Sequence, residues 1–530
     1  MKKISSYIVA FVTALSLTGC MDLEPTGTIT DSNYWKNEDQ VKAFGQGLQS
    51  WLRSYAFYYI EWGELRSNAY SGTPFSGEAP LGFERFWNNT LEQSSPGISN
   101  YGGVYTGINQ INLLIDKVKE ASYLTDAKKN QYLAPSYGMR AFLYFHLLRS
   151  YGGVIVNTVH TEGKNIKLSD VARAQNTAEE VMTQIKADIK ASEDAYADNY
   201  AFGNGRTYWS LPATEMLKGE VYLWSGKQMG GGSADYQTAL QAYQNVQSKA
   251  DVALLDNFAD VFAYSNKENK EIIFAFHNRE NETSLWGGSY SRLVMNQQNV
   301  NSYRLRDASN NAIQFSQSPY LNLSKGNGVM YISLNSLLWT KLFRNKNDRR
   351  KSETLADVYS TNGTTYVGNI ANKFHGTLLA GASNASWYDD QPVYRFAECL
   401  LGIAEAKVLL GQSPAEEINK IRRRAYGKDY FDSHPNVQYP NEVSTDSGGK
   451  TNGFYTDNPF VGSDEDAEEA VLKERFREFL FEGKRWYDIR LFDKATKYST
   501  ASASRLLWPI DETTLSTNDK LVQTDGYKLN

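Results

Sequence analysis

Two stretches of this chain look like each other, and each reads as a pair of helices too small to bury its apolar side alone. Residues 213–222 (Ala-Thr-Glu-Met-Leu-Lys-Gly-Glu-Val-Tyr), a Gly-rich turn and residues 239–243 (Ala-Leu-Gln-Ala-Tyr) make the first. Residues 396–406 and 415–421 repeat the scheme. Small residues where helices cross, with aromatics filling between them, are what stacked helical hairpins need. The two copies are degenerate and far apart, so a regular solenoid is not expected. The expected fold is mainly α, a scaffold of helix pairs interrupted by long insertions, with minor β-structure.

The rest of the chain supports that class. Asn37-Glu38-Asp39-Gln40 is a capping-box-like start, after which Val41, Phe44, Leu48 and Trp51 recur at helical spacing. Val104, Ile108, Ile111, Ile115 and Val118 recur in the same way. A third helix through Tyr137, Ala141, Tyr144 and Leu148 is stopped by Gly152-Gly153. Thr177 caps Glu180 at the head of a helix that carries Val181, Ile185 and Ile189 on one face. Residues 20–265 and 266–530 are expected to pack as one compact unit.

With 530 residues, 41% of them apolar and 22% charged, the chain is neither mostly disordered nor polytopic. Its 55 basic and 60 acidic residues leave a net charge of −5, which argues against a partner that is nucleic acid. The 35 Tyr, 24 Phe and 11 Trp must be housed somewhere. Three insertions, about 55–101, 278–335 and 359–391, are rich in Gly, Ser, Asn, Thr and aromatics, with weak helical period. Loops this long are functional or disordered, and aromatic content argues against disorder. A further polar, Gly-rich tract, about 432–464, reads as a surface excursion.

Sugar rings present C–H faces that lie flat on Trp or Tyr, while Asn, Asp and Arg bridge neighbouring hydroxyls. Trp62, Trp87 with Asn88 and Asn89, Trp286 with Tyr290 and Arg292, and Trp387-Tyr388-Asp389 are such combinations in long loops. The expected ligand contacts are Asn68, Trp87, Asn88, Trp286, Tyr290, Arg292, Tyr388 and Asp389.

Catalytic patterns are sparse. Five histidines are scattered without an HExxH pair, and no GxSxG elbow occurs. Glu474, Glu478 and Glu482 line one helix face, but Arg475, Arg477 and Arg485 are interleaved, so structural ion pairing is expected of them. Asp389-Asp390 is suited equally to hydrogen-bonding sugar hydroxyls or holding a cation. No catalytic residue, metal site or cofactor is expected. Three functions stay open from the residues: glycan binding, protein or peptide binding by the same fold, and glycoside hydrolysis by paired carboxylates.

At the front, Lys2 and Lys3 precede an apolar run from about Tyr7 to Leu17, too short to cross a bilayer but right for a signal-peptide core. Leu17-Thr18-Gly19-Cys20 resembles the lipobox of bacterial lipoproteins, which makes residues 1–19 a cleaved signal and Cys20 the acylated first residue. Met21-Asp22-Leu23-Glu24 resembles the surface-export signal of Bacteroidetes lipoproteins. The only other thiol, Cys399, sits in an apolar helical stretch and reads as core.

The order of these features resembles the SusD/RagB family of surface glycan-binding lipoproteins over essentially the whole chain. Cys20 to Pro25, Tyr34-Trp35, Arg140-Ala141-Phe142-Leu143-Tyr144 and Tyr151-Gly152-Gly153 are similar to its first part. The strongest likeness is Tyr394-Arg395-Phe396-Ala397-Glu398 with Ala404-Glu405-Ala406, then residues 474–488 (Glu-Arg-Phe-Arg-Glu-Phe-Leu-Phe-Glu-Gly-Lys-Arg-Trp-Tyr-Asp). Leu507-Trp508-Pro509-Ile510 looks like the family's end. The resemblance implies tetratricopeptide-like helix pairs under a loop-built face, no catalysis, and an outer-membrane location. It also implies a SusC-like TonB-dependent transporter as partner, over which the lipoprotein holds oligosaccharide as a hinged lid. Trp486 is architectural on this view, and Asn68 stands where many relatives carry Asp. Ligand contacts are not a fixed family motif.

Overall fold

The computed structural model describes residues 34–72, 82–97, 101–161, 172–288, 290–315, 319–321, 323, 328–445, 451 and 453–528, apart from the side chains of 57, 101 and 288. The signal segment and Cys20 lie outside them. The longer helices are α1 (Glu38–Ser54), α2 (Ala56–Glu64), α4 (Tyr101–Glu120), α5 (Asp126–Tyr151), α6 (Ala178–Tyr196), α7 (Leu211–Gln228) and α8 (Gly232–Lys249), with the one-turn α3 (Glu84–Trp87) between α2 and α4. The second half adds α9 (Phe396–Leu409), α10 (Ala415–Tyr426), α11 (Lys428–Ser433), α12 (Ala467–Phe479) and α13 (Arg485–Leu491). Strands pair two by two and antiparallel among the described residues: β1 (Tyr70–Ser71) with β3 (Ser333–Leu334), β2 (Ile272–Phe276) with β6 (Gln391–Arg395), and β4 (Leu355–Tyr359) with β5 (Tyr366–Ala371). The fold is mainly α.

Local chemistry sets the helix ends. The Asn37 carboxamide accepts from the Gln40 amide at 3.1 Å, which caps α1. Thr177 and Glu180 form a reciprocal capping box at the head of α6. Gly152, with φ of 79°, ends α5 in a conformation that disfavours a side chain.

Helix α5 packs on α4 and α6, α7 on α8, α8 on α9, and α9 on α10 and α12. The two self-similar stretches thus meet, and one ring joins them. Gly219 of α7 and Gly402 of α9 both face the ring of Tyr243 on α8, where an added Cβ would lie 2.3 Å and 2.5 Å from it. The glycines let the backbones close on that ring.

Beneath α9 and α10 runs a buried ionic lattice. Arg350 bridges Asp348 (2.6 Å), Glu474 (2.7 Å) and Glu478 (3.2 Å); Arg395 bridges Glu271, Glu478 and Glu482 at 2.6–2.8 Å. Arg422 joins Asp464 and Glu474, and Arg475 joins Asp488 at 2.8 Å. These glutamates are therefore held as ion-pair partners. Arg485 departs from the expectation: it makes no ion pair among the described residues and donates to the carbonyls of Phe460 (2.7 Å) and Leu472 (3.3 Å). The tract read as a surface excursion is also anchored inward, because Glu442 and Asp464 are buried and take Lys473 at 3.0 Å and 2.7 Å. Cys399 is buried, its thiol donating to the Tyr243 carbonyl at 3.1 Å. No helix among the described residues is long and apolar enough to cross a membrane.

Candidate functional site

Seven of the eight residues expected to contact ligand fall into three places. Trp87, Trp286 and Tyr290 are 6%, 7% and 2% exposed and pack in the core. Trp286 packs on Trp387 with ring centres 4.4 Å apart and planes tilted by 36°, and Tyr290 sets its edge to Phe374 at 5.6 Å. The expectation of open stacking platforms at these three positions is corrected: their faces fill gaps between the insertions and the scaffold. Trp62 and Trp387 are buried likewise. Asn68 lies apart, its amide donating to the Pro459 carbonyl.

Arg292 and Asn88 mark a second place, where four chain segments converge. The Ile332 amide donates to the Arg292 carbonyl at 3.0 Å and the Met330 amide to Val294 at 3.1 Å, so residues 290–294 run beside 329–332. Strand β3 then continues onto β1, which contacts α3. The result is a half-buried stack: Phe83 lies on Tyr331 (5.8 Å, 21° between planes), and the Arg292 guanidinium sits 5.2 Å from the Phe83 ring centre. Arg292, with 30% of its side chain exposed, also pairs with Glu61 of α2 at 3.2 Å. Asn88 is exposed just past α3, whereas its neighbour Asn89 turns inward at φ of 53° to accept from Arg66 at 2.8 Å.

Rings beside a guanidinium suit a ligand that has flat apolar faces and hydroxyl edges. Of the residues around this stack, the sequence singles out Arg292 and Asn88 as candidates and not Phe83, Tyr331 or Glu61. A usable signal was Glu61 itself, a carboxylate set inside the apolar run Tyr58-Tyr59-Ile60-Glu61-Trp62.

Burial pushes Glu61 up to about 8, against the pull of Arg292 and Arg85. A carboxyl whose folded pKa is raised supports the fold below its unfolded value near 4.5 and loses that support as pH rises through 8. The stability of Glu61→Gln relative to the parent chain is accordingly expected to improve from pH 5.5 to pH 8, at a slope approaching about 1.4 kcal/mol per pH unit. Urea unfolding of both chains at the two pH values checks this; parallel curves contradict it.

Tyr388 and Asp389 mark the third place, a cavity of about 230 Å³ lined in part by Tyr264, His375, Thr377 and Asp389. Tyr388 is half-buried, its ring 6.4 Å from that of Tyr264. A larger cleft of about 840 Å³, lined by Arg349, Lys420, Arg423 and Tyr426, contains none of the eight residues. Among the described residues no group of three or more His, Cys, Asp or Glu side chains is placed to hold a metal ion.

The sequence model of the SusD family matches residues 197–505, more than half of the chain. The chain belongs to the SusD family. A second family model, described as starch-binding associating with outer membrane, matches residues 82–205 of this SusD-family chain. Among solved structures it is similar to NanU of B. fragilis, with 47% identity and a TM-score of 0.87, over 96% of this chain and all of that one. A SusD superfamily protein from Bacteroides vulgatus is 46% identical with a TM-score of 0.85, over 93% of this chain and all of the other. SusD-like protein P38 of Formosa agariphila is 24% identical across 99% of this chain and its own whole length.

Proposed function

We propose that this SusD-family chain is a non-catalytic lipoprotein of the cell surface that captures oligo- or polysaccharide. It is acylated at Cys20, and it hands its ligand to a SusC-like TonB-dependent transporter in the outer membrane. The observation that carries the reading is the pair of family matches, which together run from residue 82 to 505 and include one described as starch-binding and associating with the outer membrane. The stack of Phe83, Tyr331 and Arg292, with Asn88 at its edge, is the proposed glycan face. Absence of catalysis is supported by the carboxylates themselves, since Glu474, Glu478 and Glu482 are each engaged by arginine.

Electrophoresis through native gels cast with single polysaccharides tests the capture. Retardation on at least one glycan, without release of reducing ends, is expected. Free migration on every glycan combined with binding of a peptide contradicts it and favours the protein-binding alternative; release of reducing ends favours a hydrolase. Mass analysis of the mature amino terminus tests the anchor, with a lipid-modified Cys20 expected and an unmodified terminus contradicting it.

A further inference from the structure

Asp389 is 1% exposed, yet its Oδ2 meets no hydrogen-bond donor. Buried carboxyl oxygens are normally satisfied, and one that is not asks what it is kept for. Neighbouring charges are already engaged. The Lys373 ammonium, which also lines the cavity, donates to the carbonyls of Glu478 (2.7 Å) and Leu480 (3.0 Å) and to Glu482 (2.5 Å). Lys267 pairs with Asp390 at 3.1 Å and donates to the Asn278 carbonyl at 2.5 Å. Asp390 in turn accepts from the Asn278 amide at 2.9 Å and lies 3.0 Å from the His277 Nδ1.

The cavity in front of Asp389, about 230 Å³, has room for on the order of seven waters, or one pyranose ring. Its other polar groups are the Asp260 carboxylate, hydroxyls from Tyr264, Ser265 and Thr377, and the His375 imidazole, whose Nε2 makes no hydrogen bond and lies 3.5 Å from Glu353. The wall is rigid. Thr377 and Ser386 exchange backbone hydrogen bonds of 2.8 Å, Trp387 donates to the Phe374 carbonyl at 3.2 Å, and Gly376 (φ 67°) leaves only 2.8 Å between an added Cβ and the Trp387 ring. Such a pocket loses little freedom when it takes a ligand. Its Asp260, His375 and Asp389 are not grouped to hold a metal ion, and it has no excess of cationic groups for an anion, whereas hydroxyl, imidazole and carboxyl groups beside a phenol ring match a neutral polyol with a C–H face.

We infer that this cavity is a second saccharide pocket, sharing no lining residue with the Arg292 face. It takes a single sugar ring, one hydroxyl of which donates to Asp389 Oδ2 while the Tyr264 ring covers its C–H side. The inference rests on the glycan-binding reading and places a separate pocket within it.

The mature chain is titrated with the methyl pyranosides of glucose, galactose, mannose, xylose and N-acetylglucosamine, each to about 50 mM so that millimolar affinity is read. The readout is the His375 ring signal, assigned with His375→Gln. At least one glycoside is expected to shift it saturably, in the parent chain and in Arg292→Ala alike. Asp389→Leu is expected to abolish the shift, because the substitution removes the unpaired Oδ2. A silent His375 with every glycoside means that the cavity holds water only and overturns the inference. A shift that survives in folded Asp389→Leu overturns it too. Should that variant not fold, Thr377→Val carries the test, loss of the shift supporting the pocket and an unchanged shift sinking it. Retardation on a polysaccharide gel alongside a silent His375 removes the pocket and leaves the glycan reading standing; failure of both removes the reading itself.

Discussion

Glu478→Ala is expected to destabilise the chain by about 3–5 kcal/mol, the usual cost of removing one partner from a buried ion pair. Glu478 is fully buried, and its carboxylate takes Arg395 at 2.6 Å, Arg350 at 3.2 Å and Arg424. Those three guanidiniums hold its pKa well below the usual carboxylate range in spite of burial. Truncation leaves them facing one another in a medium that cannot solvate them. Arg350 and Arg395 still reach Asp348, Glu474, Glu271 and Glu482, so the lattice loses its centre and keeps its rim. The loss is a large fraction of the 5–15 kcal/mol or so that holds an ordinary domain. Urea unfolding at pH 7 measures it, with Glu416→Ala as the reference: that residue pairs with Lys420 in solvent, where such a pair contributes roughly 0–1 kcal/mol. Equal midpoints for the two variants contradict this account of the lattice.

Gly63→Ala is expected to be at least as damaging, for a steric reason. A Cβ on Gly63 of α2 would lie 1.7 Å from the carbonyl oxygen of Gly483 and 2.5 Å from its carbon, and both are backbone atoms. Neither segment can retreat, because Glu64 accepts from the amides of Phe481 (2.8 Å) and Gly483 (2.9 Å) and ties α2 to the turn ahead of α13. Overpacking a core with one methyl group costs about 1–3 kcal/mol when side chains can shift, and more is expected where only backbone faces backbone. Gly47→Ala should go the other way. Gly47 is exposed on α1 with nothing within 4 Å of an added Cβ, so alanine there stabilises by roughly 0.4–1 kcal/mol. Opposite shifts in urea midpoint are the expected result, and two shifts of the same sign contradict it.

The scaffold was legible because its signals are local. Asn37, the pairing of Thr177 with Glu180, and Gly152 act within one turn of where they stand, and apolar spacing reports which helix face is buried. The contact between the two self-similar stretches could be anticipated from their small residues, although that Tyr243 is the shared ring could not. The candidate site was half legible. Arg292 and Asn88 stand where long polar insertions put them, but Trp87, Trp286 and Tyr290 lie in the same insertions and fold inward. Composition cannot tell a loop aromatic that faces ligand from one that seals the loop to the core. Phe83 and Tyr331 escaped notice because their stacking joins segments almost 250 residues apart, through pairing of 290–294 with 329–332 that has no short-range signature. The tract at 432–464 misled for the reverse reason, since its polar residues Glu442 and Asp464 are buried and paired with Lys473 and two arginines, Arg422 and Arg477.

The central claim is that the face built by Phe83, Tyr331 and Arg292 holds sugar. Its most direct test is isothermal titration of an oligosaccharide cut from a polysaccharide that retards the chain, into the parent protein and into Arg292→Ala. Loss of a charge-assisted hydrogen bond costs about 1.5–3 kcal/mol, so the account predicts affinity weakened by roughly 10- to 150-fold with the fold intact. Equal affinity in the two proteins would contradict it.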